Sequence, residues 1–589
     1  MISENGEEKY YINSKRFEYA RDAATGIRTI RLIEKKDGKT VVSVQKIDNM
    51  GNFIYSDDGL GTITLHEYDY LGRVVKSTYI EGGITSTEEM AYDDNGILLR
   101  KKDKNGTISV FSYDVRNRKI KEVVKKGSIE RTYTTSYGYE WYDNLQDQQE
   151  ILYVVTQKNP GERAEKSYVN DAGWELKTVS NGIATINTYN RHGEMILSIT
   201  QTEDGQEMDQ ISLNVYDNSG NQTAEIQNPV NQNGIWKIDE NSIVNLYTYD
   251  LRGNMLSMTD SMGITTNYEY DELSRVKKVI LPDSPEIQNV TQYFYDIYED
   301  ENVSSTKTVD ANGNVSKTYV DENGETVRIA DIGDGKVTPI STEYQYDLKG
   351  NMIQATFSDG SYKKYEYDGK NRLISVIYYQ KDGTGKLHIK YTYSSSDQIL
   401  SEEDLVISEG VETRYCYYQY TYNDADELTE MKEYRGDNQE SVNEQRYTYD
   451  AAGRKASVTY VNAPNNVQAL KYEYNENGWL TSVKVREENG EEIILRTYRY
   501  SSFGKVVEIK DYRSFERDAN HAYVSRQYEY DSFGRVHRIR YRDSDALDVT
   551  KEQYEYVYDK NSRILMESIQ KNYVAENIET IITSRNLNE

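Results

Sequence analysis

Five histidines, one cysteine, four tryptophans and a surplus of carboxylates are the side chains from which this 589-residue chain would have to build a chemical site. The histidines, His66, His192, His388, His521 and His537, are scattered and show no metal-ligand spacing such as His-x-x-x-His. They read as ordinary strand or surface residues. Cys416 stands alone, which excludes an intramolecular disulfide and any multi-cysteine metal site; within "RYCYYQYTY" it reads as a small buried strand residue. Clusters such as "SDDG", "DDNG", "DENG" and "DIGDG" offer the grouped oxygens that Ca²⁺ needs, but they lack the twelve-residue loop with its closing Glu, and turns account for them. Gly504-Lys505 falls in a repeat turn, not in an eight-residue phosphate-binding loop. Carboxylates are too abundant for one pair to be singled out as acid and base, and no nucleophile, base and orienter stand at a recognisable spacing. The expectation is a chain that is not an enzyme, with no catalytic residue, no cofactor and no metal site. Trp141, Trp174, Trp236 and Trp479 are either sugar-stacking platforms or strand-packing residues. Adjacent rings open to solvent would favour the first, isolated rings inside a wall the second.

What the sequence does repeat is a structural string. "YEYDSFGRV" (528–536) has close copies in "HEYDYLGRV" (66–74), "YTYDLRGNM" (247–255), "YQYDLKGNM" (344–352) and "YTYDAAGRK" (447–455). The Asp position of clear copies falls at Asp69, Asp93, Asp114, Asp217, Asp250, Asp271, Asp296, Asp321, Asp347, Asp368, Asp450, Asp531 and Asp559, with Asn170, Asn190, Asn423, Asn475, Ser394 and Ser501 in degraded copies. Spacings cluster in the mid-twenties, the range of solenoids, propellers and arrays. Asp at the first turn position can accept from backbone N–H groups further on, and Gly at the fourth tolerates positive φ, as a type I turn with a G1 bulge requires. The turn residues are therefore Tyr68, Asp69, Gly72 and Arg73; Tyr249, Asp250 and Gly253; Tyr346, Asp347 and Gly350; Tyr449, Asp450, Gly453 and Arg454; and Tyr530, Asp531, Gly534 and Arg535.

Several copies show a second turn upstream, as in "DSMG" (260–263), "ITTNYEY" (264–270), "DELS" (271–274), so one repeat is one β-hairpin. In "YEYD" the two Tyr share a face and the residue between them takes the other. Of 589 residues, 56 are Tyr and 8 are Phe, which suits a sheet that buries area without a deep dry core. A propeller of about ten blades exceeds the usual 4–8, and a parallel β-helix does not need the chain to reverse at every turn. The expected fold is all-β, a long antiparallel meander of about twenty hairpins. Because open twisted sheets rarely pass about ten strands without curling, it should roll into a spiral, tube or shell. Residues 1–16 read as a lead-in, 17–565 as one repeat ribbon with degraded first copies over 17–60, and 566–589 as a terminal strand and polar tail.

Charge and composition exclude other classes. With 98 Asp+Glu against 70 Lys+Arg, a net of −28, the chain repels a nucleic-acid backbone. No apolar run approaches the length of a transmembrane helix, and "MISENGEEKYYINSK" shows no secretion signal.

The recurring Tyr-Asp-x-x-Gly-[Arg/Asn], over roughly residues 17–565, resembles the Rhs/YD-repeat family of bacterial polymorphic-toxin carriers, insecticidal toxin complex B/C shell components and animal teneurins. The resemblance implies a non-enzymatic β-ribbon around a hollow interior, on secreted, injected or cell-surface proteins, with a toxin, an effector or a second shell subunit as partner. Carbohydrate binding, also associated with such repeats, makes an adhesive surface module using Tyr and Trp faces the alternative. Toxin carriers end in a segment with Asp-Pro-x-Gly-x-x-Gly, and Pro160, Pro229, Pro282, Pro285, Pro339 and Pro464 sit in no such motif. A self-cleaving end and an effector are therefore not expected within this sequence.

Overall fold

Alternation forces the strands. In "ISTEYQY" (Ile340–Tyr346), Tyr344 and Tyr346 are half-buried and Gln345 is exposed; Tyr365, Glu366 and Tyr367 repeat the pattern. A period of two with aromatic residues on one face buries area only as an extended chain. The structure, a computed structural model, describes residues 15–586 other than 37–38, 144–148, 283–287, 299–302, 335–338, 462–466, 488–489, 513–522, 545–549 and 572–580. His521, Pro285, Pro464, residues 1–14 and most of the C-terminal tail lie outside the described residues.

Among the described residues there are 47 strands, and 45 of them are hydrogen-bonded into one sheet. Neighbours in sequence pair antiparallel: Thr62–Tyr68 with Val74–Glu81, and that strand with Ile84–Tyr92. The chain is an antiparallel meander, neither blade-wise nor parallel. Two short strands, Val230–Gln232 and Ile235–Lys237, form a separate hairpin.

One edge of the ribbon carries the Tyr-Asp turns. At the first clear copy the Gly72 N–H donates to the Asp69 carbonyl at 3.0 Å, and the Asp69 N–H to the Arg73 carbonyl at 2.9 Å. Gly72 sits at φ 78°, and the ladder shifts register between Glu67 and Tyr68. This is a type I turn closed by a bulge. Asn117 and Asn371 take the glycine's place at φ 62°, and Ser274, Asp397, Asp426 and Ser562 do so at φ 63–67°. The Asp296 copy departs from the expectation. Glu299 stands at its fourth position, where other copies have Gly, Asn, Asp or Ser, and the strand Gln288–Tyr298 runs on through Asp296, which adopts φ 53°.

The chain packs as two compact units. The first comprises Met1–Thr132, Tyr295–Lys307 and Asn314–Gln445; the second comprises Tyr133–Phe294, Thr308–Gly313 and Arg446–Glu589. Within each, a later arm of the ribbon lies against an earlier one. The second unit holds two aliphatic clusters, Leu152, Val154, Tyr168, Val179 and Ala184, and Ile186, Leu197 and Ile199 with Trp236 packed on them.

A single turn is a local device. Gly253 sits at φ 85° with open space for a Cβ apart from the Asn221 side chain at 3.6 Å, so Gly253→Val strains the backbone without a large clash. The expected cost is about 1–2 kcal/mol. Hydrogen exchange should rise in the hairpins around residues 243–259 and stay unchanged in remote ones.

Candidate functional site

The side chains with chemistry converge on the Tyr-Asp edge, and each has a defined task there. Both carboxylate oxygens of the turn Asp are used. Oδ1 of Asp69 accepts from the Leu71 and Arg73 N–H groups at 2.9 and 3.0 Å, and Oδ2 accepts from Arg73 Nε at 2.6 Å. Asp250 does the same with the Arg252 and Asn254 N–H groups and Asn254 Nδ2, at 2.8–2.9 Å. Asp347 binds Asn351 Nδ2 at 2.9 Å, and Asp450 and Asp531 bind Arg454 and Arg535 Nε, each at 2.7 Å. Gly253, Gly350, Gly453 and Gly534 take φ 85°, 85°, 81° and 76°.

Hydrogen bonds to the ionised form hold the carboxyls of Asp69, Asp250, Asp347 and Asp450 low. The Arg73 N–H does most for Asp69, and the Asn254 side chain for Asp250. Burial pushes Asp347 and Asp450 up, and the bonds from Asn351 and Arg454 outweigh it. Two N–H groups and a cationic or amide clamp thus occupy three acceptor positions on each of these five carboxylates. Among the described residues no three His, Cys, Asp or Glu side chains converge on a metal position.

In many copies the second Tyr reaches back one hairpin. Tyr68 Oη donates to the Phe53 carbonyl at 2.7 Å, Tyr249 to Gln222 at 2.9 Å, Tyr346 to Thr326 at 2.9 Å and Tyr530 to Val506 at 2.8 Å. Each acceptor is the first strand residue after the preceding Tyr-Asp-edge turn, at that turn's register shift. The hydroxyl therefore supplies a donor where the bulge breaks the ladder. Tyr449 stands at the equivalent place in its copy.

The residue after the turn Gly reaches forward. Arg73 Nη1 donates to the Asp93 carbonyl at 2.7 Å, and Arg535 Nη1 to the Asp559 carbonyl at 3.0 Å. The guanidinium groups of Arg73, Arg454 and Arg535 lie 5.0, 4.7 and 4.5 Å from the ring centroids of Tyr92, Tyr474 and Tyr558. The sequence displays this Arg or Asn, but its link to the next copy was not read there; its signal is its constant place four residues after the Asp.

Two tryptophans substitute for that arginine. Trp174 and Trp479 lie tilted against the Tyr of the next copy, with centroids 5.5 Å from Tyr189 and 5.2 Å from Tyr500. Each covers the next turn's glycine, and a Cβ on Gly504 would lie 2.8 Å from the Trp479 ring. Trp236 packs on Ile186, Leu197 and Ile199. Trp141 differs: it is 70% exposed on the strand Ile129–Asp143, where Tyr139 is 63% exposed.

One constellation was invisible in sequence. Ser375, His388 and Glu412 come from different strands, with Ser375 Oγ 3.0 Å from His388 Nε2 and His388 Nδ1 2.6 Å from Glu412 Oε1. Lys390 Nζ binds the other Glu412 oxygen at 2.9 Å. The hydrogen bonds from His388 and Lys390 hold the Glu412 carboxyl below its usual range. The order of groups is that of an acyl-transfer triad. Such a site also needs N–H donors aimed at a developing oxyanion. Here the strand bearing Ser375, which is 5% exposed, is laddered on both sides, Ser375 opposite Glu366 and Lys390. The relay ties strands together. His66 pairs with Ser77 Oγ at 2.9 Å, His537 lies 3.3 Å from the Tyr556 carbonyl, His192 is an exposed turn residue and Cys416 is 1% exposed.

Residues 249–285, from Tyr249-Asp250 through the Asp271 turn, match the family model described as RHS Repeat. Over those residues the chain carries an RHS repeat. Comparison with curated proteins gives no match. Among solved structures the chain is similar to one of the Photorhabdus luminescens Tc holotoxin pore, at 11% identity and TM-score 0.48, covering 95% of this chain and 33% of that one. It is also similar to the crystal structure of TcdB2-TccC3, at 12% identity and TM-score 0.35, covering 97% and 40%. The chain thus spans well under half the length of these structures.

RHS hairpins joined through tyrosine hydroxyls should weaken in alkali. Burial raises the hydroxyls of Tyr249, Tyr346 and Tyr530 above the ordinary value of 10.0, and pushes Tyr420 up to about 12. A raised folded-state value means that the stability is fully present below pH 10.0, the unfolded value, and is lost as pH rises through the folded values. Urea midpoints should fall above that pH together with the rise in tyrosinate absorbance. Tyr530→Phe should cost about 1 kcal/mol at neutral pH by leaving the Val506 carbonyl without its donor.

Proposed function

We propose that the chain is a non-enzymatic structural scaffold, an RHS-type β-ribbon over residues 17–565 that forms the wall, or part of the wall, of a shell enclosing or presenting a toxin or other partner. The observation that carries this reading is the edge contact within each unit, where turns of the later arm dock on turns of the earlier arm. A ribbon that seals its own edges forms a wall and leaves fewer strand ends open to stray pairing. The recurrent Asp, Gly, Arg and Tyr are engaged in building hairpins, which supports a mechanical rather than a chemical role. An extracellular or cell-surface setting, with an effector or a second shell subunit as partner, is part of the same proposal.

Small-angle scattering with a mass measurement tests it. At about 4.8 Å per strand the 45-stranded sheet laid out flat would span roughly 215 Å. The expected result is a maximum dimension far below that length and a hollow profile; an extended particle near it would sink the proposal.

One observation favours a second reading, an adhesive surface that stacks glycans. Tyr139 and Trp141 are exposed by 63% and 70%, two residues apart and therefore on one face, and Tyr139 lies 5.5 Å from Tyr153. Under that reading Trp141→Ala abolishes binding on a glycan array while Trp479→Ala mainly lowers stability. Absence of any glycan binding by the unaltered chain counts against it.

A further inference from the structure

The arms within each unit meet turn to turn, always with a Tyr-Asp-edge turn of the later arm against an opposite-edge turn of the earlier arm. In the first unit Gly82 meets Gly369 so closely that a Cβ on either would collide with the other's backbone. Beyond it, Lys126 pairs with Asp426, Arg131 pairs with Glu427, and Asp424 Oδ2 accepts from the Ser128 N–H at 2.7 Å and from Ser128 Oγ at 3.1 Å. Lys126 Nζ also reaches Ser396 Oγ at 3.1 Å. At the other end the sign is opposite: Lys349 of the later arm faces Asp58 and Gly61 of the earlier one.

In the second unit the earlier arm is the acidic side. Lys505 binds Asp209 at 2.6 Å, Ser502 donates to Glu207, Asn228 donates to the Ser532 carbonyl at 2.8 Å, and Asn561 donates to Asp260 at 2.7 Å. Apart from Lys126–Ser396, these hydrogen bonds in the two units join residues 295 to 304 apart in the chain.

We infer that this seam is a charge-coded recognition surface whose partner is the chain's own later arm, and that it sets the register in which the arms join. In the first unit the earlier edge reads acid at Asp58, bare backbone at Gly82, and base at Lys126 and Arg131. The later edge reads base at Lys349, bare backbone at Gly369, and acid at Asp424, Asp426 and Glu427. A slip by one hairpin brings a turn with side chains, that of Lys349 or that of Ser394–Asp397, onto Gly82, where none fits. It also takes Lys126 and Arg131 away from their carboxylates. Hairpins of nearly identical sequence cannot choose a partner by backbone pairing, so a pattern of sign and size has to discriminate between registers. The inference holds whatever the scaffold encloses or presents.

The test uses the full chain in four forms: unaltered, Lys126→Glu with Arg131→Glu, Asp426→Lys with Glu427→Lys, and all four changes together. Hydrogen exchange is followed at the Ser128 amide, which bonds across the seam, and at the Val376 amide, inside a hairpin strand. Each charge reversal alone should speed exchange at Ser128 by about tenfold and leave Val376 protected, and the combination should restore Ser128 to within about threefold. No effect of the single reversals, or no recovery in the combination while Val376 stays protected, would overturn the inference. If a reversal also exposes Val376, Lys126→Gln with Arg131→Gln is read by the same criterion: faster exchange at Ser128 alone supports the code, and unchanged exchange refutes it.

Discussion

The structure depends on a carboxylate that closes a turn without help from anything distant. Asp69, Asp250, Asp347, Asp450 and Asp531 each gather two backbone N–H groups and one side-chain donor within four residues. That arrangement satisfies the groups a tight turn would otherwise leave open, at a surface where little else is buried. Because the device is local, it can be copied many times, and each copy folds the chain back before the next begins. The glycine, or an Asn, Asp or Ser in its place, supplies the positive φ that the bulge demands.

A sheet built this way gains little from a conventional core. Few side chains are fully buried, and the clusters around Leu152 and Ile199 are small. What replaces the core is a chain of side-chain links that run from copy to copy along one edge. Hydroxyls such as those of Tyr68, Tyr249, Tyr346 and Tyr530 serve the bulge behind them, and Arg73, Arg454, Arg535, Trp174 and Trp479 cover the tyrosine ahead. This accounts for the preference for Tyr over Phe in physical terms: the ring supplies area against the sheet, and the hydroxyl supplies the donor that the bulged carbonyl lacks. The polar relay of Ser375, His388 and Glu412 joins strands in the same manner, with side chains doing across the sheet what apolar packing does in a thicker domain.

The two edges of the ribbon differ in kind. The Tyr-Asp edge keeps its first and fourth turn residues to a few types and varies between them, from Lys349 to Gly369 to Asp424, while the opposite edge varies throughout, from Gly82-Gly83 to the acidic turn at Glu207 and Asp209. Uniformity suits an edge that must repeat the same fold in every copy. Variation suits an edge that distinguishes one docking turn from the next, and the charge reversals along the seams use it.

The hairpin, its period and the antiparallel meander were legible in the sequence because each is decided within a few residues: Tyr-x-Tyr sets the face, Asp and Gly set the turn, and the Arg or Asn that follows is visible in every string. Even there Asp296 misled, since the strand Gln288–Tyr298 runs on through it. The tryptophans show the limit from another side. Trp174 and Trp479 sit at a repeat position and could be read as variants of it, but Trp236 depends on a cluster formed by Ile186, Leu197 and Ile199, and Trp141 on a face that nothing in its own strand reveals as open. The gathering of His388 with Ser375 and Glu412, and the meeting of Lys126 and Arg131 with Asp426 and Glu427, were decided only by tertiary structure. Their partners are set by ladder register and by the return of the ribbon to itself about 300 residues later. Local chemistry writes the turns, but contacts across that length of chain depend on the summed twist of every strand between.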